Sequence, residues 1–244
     1  MVKGNLAHLT ALDWTALIWF IACWIGYALF AERGQHARNS LVGQGHAYRL
    51  LWAQRLLERE VRIIDASLIG NLMNSVSFYA NTTIYIIAGL FAVLGTLDKV
   101  ISVAAEFPFA REVTRDLLEL KLLLLFGVFV VAYFKFTWSL RQFNLLSILV
   151  GAAPRGDHRE DPAIDSYASR MAAVNSYAGD DFNRGIRAYY FGLAALTWLV
   201  SPGMFLAVTT IIVIVLYRRD YSSATLLALR QTENGAATGK LPGA

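Results

Sequence analysis

Two apolar stretches, residues 66 to 97 and 117 to 150, constrain this chain more than any other feature. At 1.5 Å per residue, about 20 residues cross the roughly 30 Å hydrocarbon core of a bilayer. Each stretch is longer than that, so each must tilt, break or protrude. The polar residues favour protrusion. The uninterrupted apolar part of the first stretch is its second half, Thr82 to Leu97, whereas Ser67, Asn71, Asn74, Ser77 and Asn81 mark its first half. In the second stretch the apolar run Leu122 to Phe134 comes first, and Lys135, Arg141, Gln142 and Asn144 follow. The two stretches run in opposite directions around the connection 98 to 116, which places both polar halves on one side of the membrane. Any function beyond spanning is expected there.

The 244 residues are 56% hydrophobic and 16% charged, too apolar and too unevenly so for an ordinary soluble domain. The fold class expected is all-α: an integral membrane bundle of four transmembrane helices with two amphipathic loop helices and long, protruding second and third spans. One membrane domain is expected over 1 to 231, followed by a disordered tail over 232 to 244, rich in Gly, Ala and Thr. The net charge of +4 is spread through loops without a basic stripe or stacking motif, so it reads as a topology signal and not as nucleic-acid binding. The single Cys23 lies inside the first apolar run and excludes an intramolecular disulfide.

The first span is expected over Leu12 to Phe30, uncleaved, because the run is of full spanning length and ends without a small-x-small site. A polar linker follows. Then Leu50, Ala53, Leu57, Val61, Ile64 and Leu68 recur at helical steps opposite Arg49, Arg55, Glu58, Arg59, Glu60 and Arg62, which predicts an amphipathic helix leading into the second span. After the third span, Gly151 and Pro154 break the chain. Asp161 and Pro162 then look like the cap and first turn of a second amphipathic helix, with Ile164, Met171, Val174 and Tyr177 or Ala178 inward. The two loop helices are expected to pair. The fourth span is expected over Arg187 to Tyr217, kinked or interrupted at Pro202 and Gly203.

The candidate site residues are Asn71, Asn74, Asn81, Lys135, Arg141 and Asn144. The asparagines recur on one helical stripe, and such residues in a span either bond across helices or line a wet cavity. Both readings stay open. Lys121 and Lys135, roughly 21 Å apart along a helix, read as interfacial anchors, or Lys135 as an anion-attracting group. Ala88, Gly89, Ala92 and Gly95 permit close helix approach and point to a homo-oligomer.

No phosphate loop, dinucleotide fingerprint, serine nucleophile motif or cysteine pair is present. His8, His36, His46 and His158 lie outside the spans and none pairs with another at ligand spacing, so neither a metal nor another cofactor is expected. An enzyme is not expected; one acting on lipid at the interface is the third-ranked alternative.

The segments Glu60 to Asp65 (EVRIID), Asn71 to Thr83 (NLMNSVSFYANTT), Lys135 to Pro154 (KFTWSLRQFNLLSILVGAAP) and Phe182 to Phe191 (FNRGIRAYYF) resemble the bacterial domain of unknown function family 599. The resemblance covers about residues 12 to 221. It implies a multi-span membrane protein of bacteria and plants, with no activity and no residue role attached. Its segments fall on the polar ends of the second and third spans and on the entry to the fourth.

The reading is therefore a multi-span protein of the bacterial inner membrane. It is either an oligomeric channel or transporter for an ion or small solute, with Asn71, Asn74 and Asn81 along the path and Lys135, Arg141 and Asn144 at an anion-favouring mouth, or a structural protein whose loop helices dock a partner. The large loops, 33 to 65 and 151 to 187, carry more basic residues and are expected in the cytoplasm with both termini outside, although Arg218 and Arg219 at a membrane end argue the other way.

Overall fold

The structure, a computed structural model, describes residues 9–33, 38–105, 114–154 and 162–230. All regular elements among them are helices: α1 Ala11–Glu32, α2 Leu41–Leu57, α3 Ile63–Gly95, α4 Leu97–Ala105, α5 Arg115–Gly151, α6 Pro162–Thr197 and α7 Pro202–Tyr221. Four of them, α1, α3, α5 and the helix that begins at Pro202, are long and apolar enough to cross a membrane. The cap expected at Asp161 and the tail expected over 232 to 244 lie outside the described residues.

Local chemistry sets the ends of the helices. Thr10 and Asp13 form a reciprocal capping box that starts α1. Ser40 caps α2 by accepting from the Gly43 amide. Asp65 has its side chain fully buried and accepts from Trp52 Nε1 at 2.9 Å and from Arg59 at 2.6 Å. That clamp folds the chain between α2 and α3, and Arg62 ties the turn to the end of α5 by donating to the carbonyls of Ala153 and Pro154. The expected continuous amphipathic face is thereby corrected: Ala53, Leu56 and Leu57 are buried, while Leu50, Val61, Ile64 and Leu68 beyond or beside the break are exposed.

The 33 residues of α3 and 37 of α5 give helices of roughly 50 and 55 Å, well beyond the 22 residues of α1. They pair antiparallel, with Tyr79 stacked on Phe136 and Phe91 against Phe126. The α2 helix packs against the first half of α6, so the two amphipathic segments do pair. Together with the protruding halves of α3 and α5 they form a helical layer at one end of the bundle. Its core holds Leu56, Phe136, Leu146, Met171 and Ala178. Of the two alternatives in α6, Ala178 is buried and Tyr177 exposed. A second core among α1, α5, α6 and α7 holds Phe20, Leu125, Phe191, Trp198 and Phe205.

Four helices of spanning length are present as expected, the fourth over Pro202–Arg230, but the expected bounds of the fourth, 187 to 217, and the common side of the termini need correction. Helix α6 is a single 36-residue element that runs antiparallel to α5 along its length. Ser139 Oγ donates to the Ala178 carbonyl, the Phe136 ring lies on Gly185, and Lys121 sits over the Trp198 ring at 5.7 Å. The chain then reverses at Trp198–Ser201, where Ser201 caps α7 and Pro202 opens it. Residues 187 to 217 are thus split between two arms of a hairpin, with Trp198 stacked on Phe205 and Arg219 over Tyr190. Helices α1 and α7 run parallel, since Trp198 beside the start of α7 donates to Asp13 and Asp220 at its end accepts from Tyr27. The apolar half of α6 therefore returns through the same depth as the four apolar helices. The chain passes from end to end five times, and its described ends, Leu9 and Arg230, lie at opposite ends of the bundle and not on one side.

A charged cavity at the junction of bundle and helical layer

Where α1 and α7 end and the helical layer begins, charged residues from five helices converge. Glu32, the last residue of α1, accepts from Arg184 Nε at 2.9 Å and Nη2 at 3.0 Å, and from Arg187. One turn back along α6, Asp181 accepts from Lys135 at 3.0 Å, Gln142 at 2.8 Å and Arg184 at 3.0 Å. The i, i+3 spacing of Asp181, Arg184 and Arg187 puts them on one helix face, which α1 and α5 approach. Burial pushes the Asp181 carboxyl upward, but the bonds from Gln142, Lys135 and Arg184 outweigh it, and Asp181 titrates below its ordinary value. Its partners hold the ionised form in place.

The α2 helix closes the other wall. His46 Nε2 meets Asp180 at 2.9 Å. The Arg49 guanidinium lies directly on Gly179, where any Cβ would come within 2.1 Å of it, so a larger residue there would displace the end of the Arg49 side chain. Burial lowers the pKa of Arg49, and the nearby Asp180 charge raises it again in part. Between these walls lies a cavity of about 290 Å³ lined by Arg38, Ser40, His46, Asn183, Arg187, Asp220 and Tyr221, among others. The carboxylates around it are already engaged: Glu32 and Asp181 by arginine and lysine, Asp180 by His46, Asp220 by Tyr27 and Arg219. Arg187 uses only Nη2, and Arg38 has no hydrogen-bond partner among the described residues. The donors left over are guanidinium N–H groups, the chemistry that binds phosphate or carboxylate oxygens.

Of the six residues singled out from the sequence, the structure brings only Lys135 into this cluster. Asn71, Asn74 and Asn81 are exposed on the outer face of α3. Asn81 lies near the level of Lys135, given the pairing of Tyr79 with Phe136, and Asn74 and Asn71 lie about 10 and 15 Å further into the helical layer. Arg141 and Asn144 are exposed on the outer face of α5, where Arg141 lies over the Trp138 ring at 5.7 Å. Lys121, the second lysine, is buried at the opposite end of the crossing beside Trp198. Sequence reasoning passed over Glu32, His46, Asp180, Asp181, Arg184 and Arg187. The signal that pointed to them was the acid–base run Asp180, Asp181, Arg184, Arg187, carried on one helix into an apolar segment. Among the described residues no three His, Cys, Asp or Glu side chains gather as metal ligands.

A family model described as a protein of unknown function, DUF599, matches residues 15–225. No curated protein and no solved structure matches the chain.

Proposed function

Because the chain belongs to the DUF599 family, whose description carries no activity, we propose its function from the geometry of the charged cavity: it is a non-catalytic membrane protein that binds an oxyanion group at the helical-layer end of its bundle. The observation that carries this reading is the cavity itself, where Arg38 and Arg187 offer unspent donors while the surrounding carboxylates are engaged. The anion-favouring mouth expected at Lys135, Arg141 and Asn144 moves to these arginines.

The charge distribution supports one orientation of the molecule. Among the described residues Lys99, Arg115 and Lys121 lie at the opposite end; the other lysines and arginines lie toward the helical-layer end, with Arg218 and Arg219 near the level of Tyr27 and Tyr190. With five passes, Arg218 and Arg219 join the loop arginines and no longer oppose them. The positive-inside bias supports a reading in which the helical layer and the cavity face the cytoplasm of a bacterial cell and Leu9 lies on the outside of the inner membrane.

A stripe on α3 supports self-association. Asn74, Phe78, Asn81, Tyr85, Ala88 and Ala92 recur at steps of three and four, and all are exposed. Aromatic, amide and small residues in this order suit a second helix of the same kind. We read the protein as a homo-oligomer through this face, with the asparagines as contacts between copies and not as a path within one.

Calorimetric titration of the purified protein with inorganic phosphate tests the binding reading. Saturable heat from the unaltered protein, weakened roughly tenfold or more in Arg38→Gln or Arg187→Gln, is the expected result. Equal binding by the protein and both variants contradicts it.

A further inference from the structure

Directly beneath the cavity, on the side facing the bilayer, the parallel helices α1 and α7 leave an apolar groove of about 430 Å³ lined by Ala22, Cys23, Gly26, Phe30, Ile214 and Tyr217. Groove and cavity share the same two helices. Phe30 in the groove precedes Ala31 in the cavity, and Tyr217 lies one turn before Tyr221. The Tyr27–Asp220 hydrogen bond and the contact between the Phe30 and Tyr221 rings, with centroids 5.7 Å apart, stand between them. The groove runs from residue 22 to residue 30 of α1, roughly 12 Å of helix, within the apolar run. The cavity opens where that run ends, the depth at which lipid headgroups lie.

A free anion would use the cavity and leave the groove without a role. A ligand that joins a phosphate to a hydrocarbon chain uses both. We propose that the oxyanion is the phosphate of an anionic phospholipid in the leaflet on that side, with one acyl chain laid in the α1–α7 groove. This rests on the anion-binding reading above. Arg38 and Arg187 meet the phosphate, Arg218 and Arg219 at the same end raise the local concentration of anionic lipid, and the apolar groove walls take the chain. Such a lipid would join α1 to α7 in addition to their shared apolar core, the Trp19–Thr210 and Tyr27–Asp220 bonds and ring contacts.

Gly26 makes the test specific. A Cβ built there meets nothing within 4 Å and Gly26 lines the groove, so Gly26→Leu places its side chain where the acyl chain would lie. Gly127, equally open on the outer face of α5, gives the control Gly127→Leu. Each purified protein is titrated with phosphatidylglycerol or phosphatidylcholine and weighed intact from detergent, and the same samples are titrated with inorganic phosphate. The unaltered protein and Gly127→Leu are expected to retain one phosphatidylglycerol per protomer, with roughly tenfold preference over phosphatidylcholine. Gly26→Leu is expected to lose that retention while still binding inorganic phosphate, and Arg38→Gln to weaken both. If Gly26→Leu retains phosphatidylglycerol as the unaltered protein does, the lipid assignment is overturned while the anion site stands. If Arg38→Gln and Arg187→Gln change neither lipid nor phosphate binding, the anion site itself is overturned.

Discussion

The Tyr27 hydroxyl donates to the Asp220 carboxylate at 2.7 Å, and at the other end of α1 the Asp13 carboxylate accepts from Trp198 Nε1 at 2.9 Å. Two such bonds, one at each end, fix α1 and α7 as parallel neighbours. Parallel neighbours at opposite ends of a sequence require a return pass between them, which the apolar half of α6 supplies. Midway, Trp19 Nε1 donates to Thr210 Oγ1 at 3.1 Å. Cysteines placed at 19 and 210, with Cys23 replaced by serine, are expected to join through a short bifunctional thiol reagent. Cysteines at 19 and 221 are expected not to, and the opposite pattern on a denaturing gel would rule out the parallel arrangement.

Gly185 of α6 lies against a ring that cannot retreat. A Cβ there would come within 2.5 Å of Phe136, which is wholly buried. Gly185→Ala is therefore expected to destabilise the protein by about 1–3 kcal/mol through overpacking, seen as a lower thermal midpoint in detergent. Gly127→Ala, where the added methyl meets open space, is expected to leave the midpoint unchanged or raise it, because alanine is the better helix former by about 0.5–1 kcal/mol. Equal effects at both sites would contradict the close packing of α5 on α6.

Asp181 gives a pH dependence with a defined sign. Its folded pKa lies below that of the unfolded chain. Its contribution is therefore fully present above the unfolded carboxylate value, near 3.9, and is lost as pH falls through the lower folded value. Asp181→Asn is expected to lower the thermal midpoint at pH 7 and to flatten its fall in acid, since the variant has no charge left to lose there. A variant whose acid fall matches that of the unaltered protein would show that the Lys135, Gln142 and Arg184 bonds contribute nothing.

Asn74 is exposed, so Asn74→Leu is expected to shift the thermal midpoint of the protomer by no more than about 0.5 kcal/mol equivalent. Its effect is expected in mass: nanodiscs of the variant should hold fewer copies than those of the unaltered protein. An unchanged copy number would remove the asparagine stripe from the contact between copies.

Much of the architecture could be read from residue order alone. The apolar lengths of α1, α3 and α5, their polar halves on a common side, and the pairing of the two amphipathic segments all follow from where hydrophobic residues are dense and where they alternate. The fourth expected span misled because Ala188–Val200 and Met204–Tyr217 are both apolar and only Ser201, Pro202 and Gly203 lie between them. Three residues of that kind serve equally for a kink or a reversal, and hydropathy does not distinguish the two. The asparagine stripe was legible as a stripe, but which side it faces is decided by partners on other helices. The cavity was hidden for the same reason: Glu32, His46, Asp180 and Arg187 are scattered over 156 positions and meet only through tertiary packing.

The proposal that a cytoplasmic cavity takes an oxyanion is tested most directly at Val42, which lines it beside His46. In a background with Cys23 replaced by serine, Val42→Cys is exposed to a membrane-impermeant maleimide in vesicles of either orientation, with and without inorganic phosphate. The account predicts labelling in inside-out vesicles, none in right-side-out vesicles, and slower labelling when phosphate is present. Labelling from the outside, or a rate indifferent to phosphate, would contradict it.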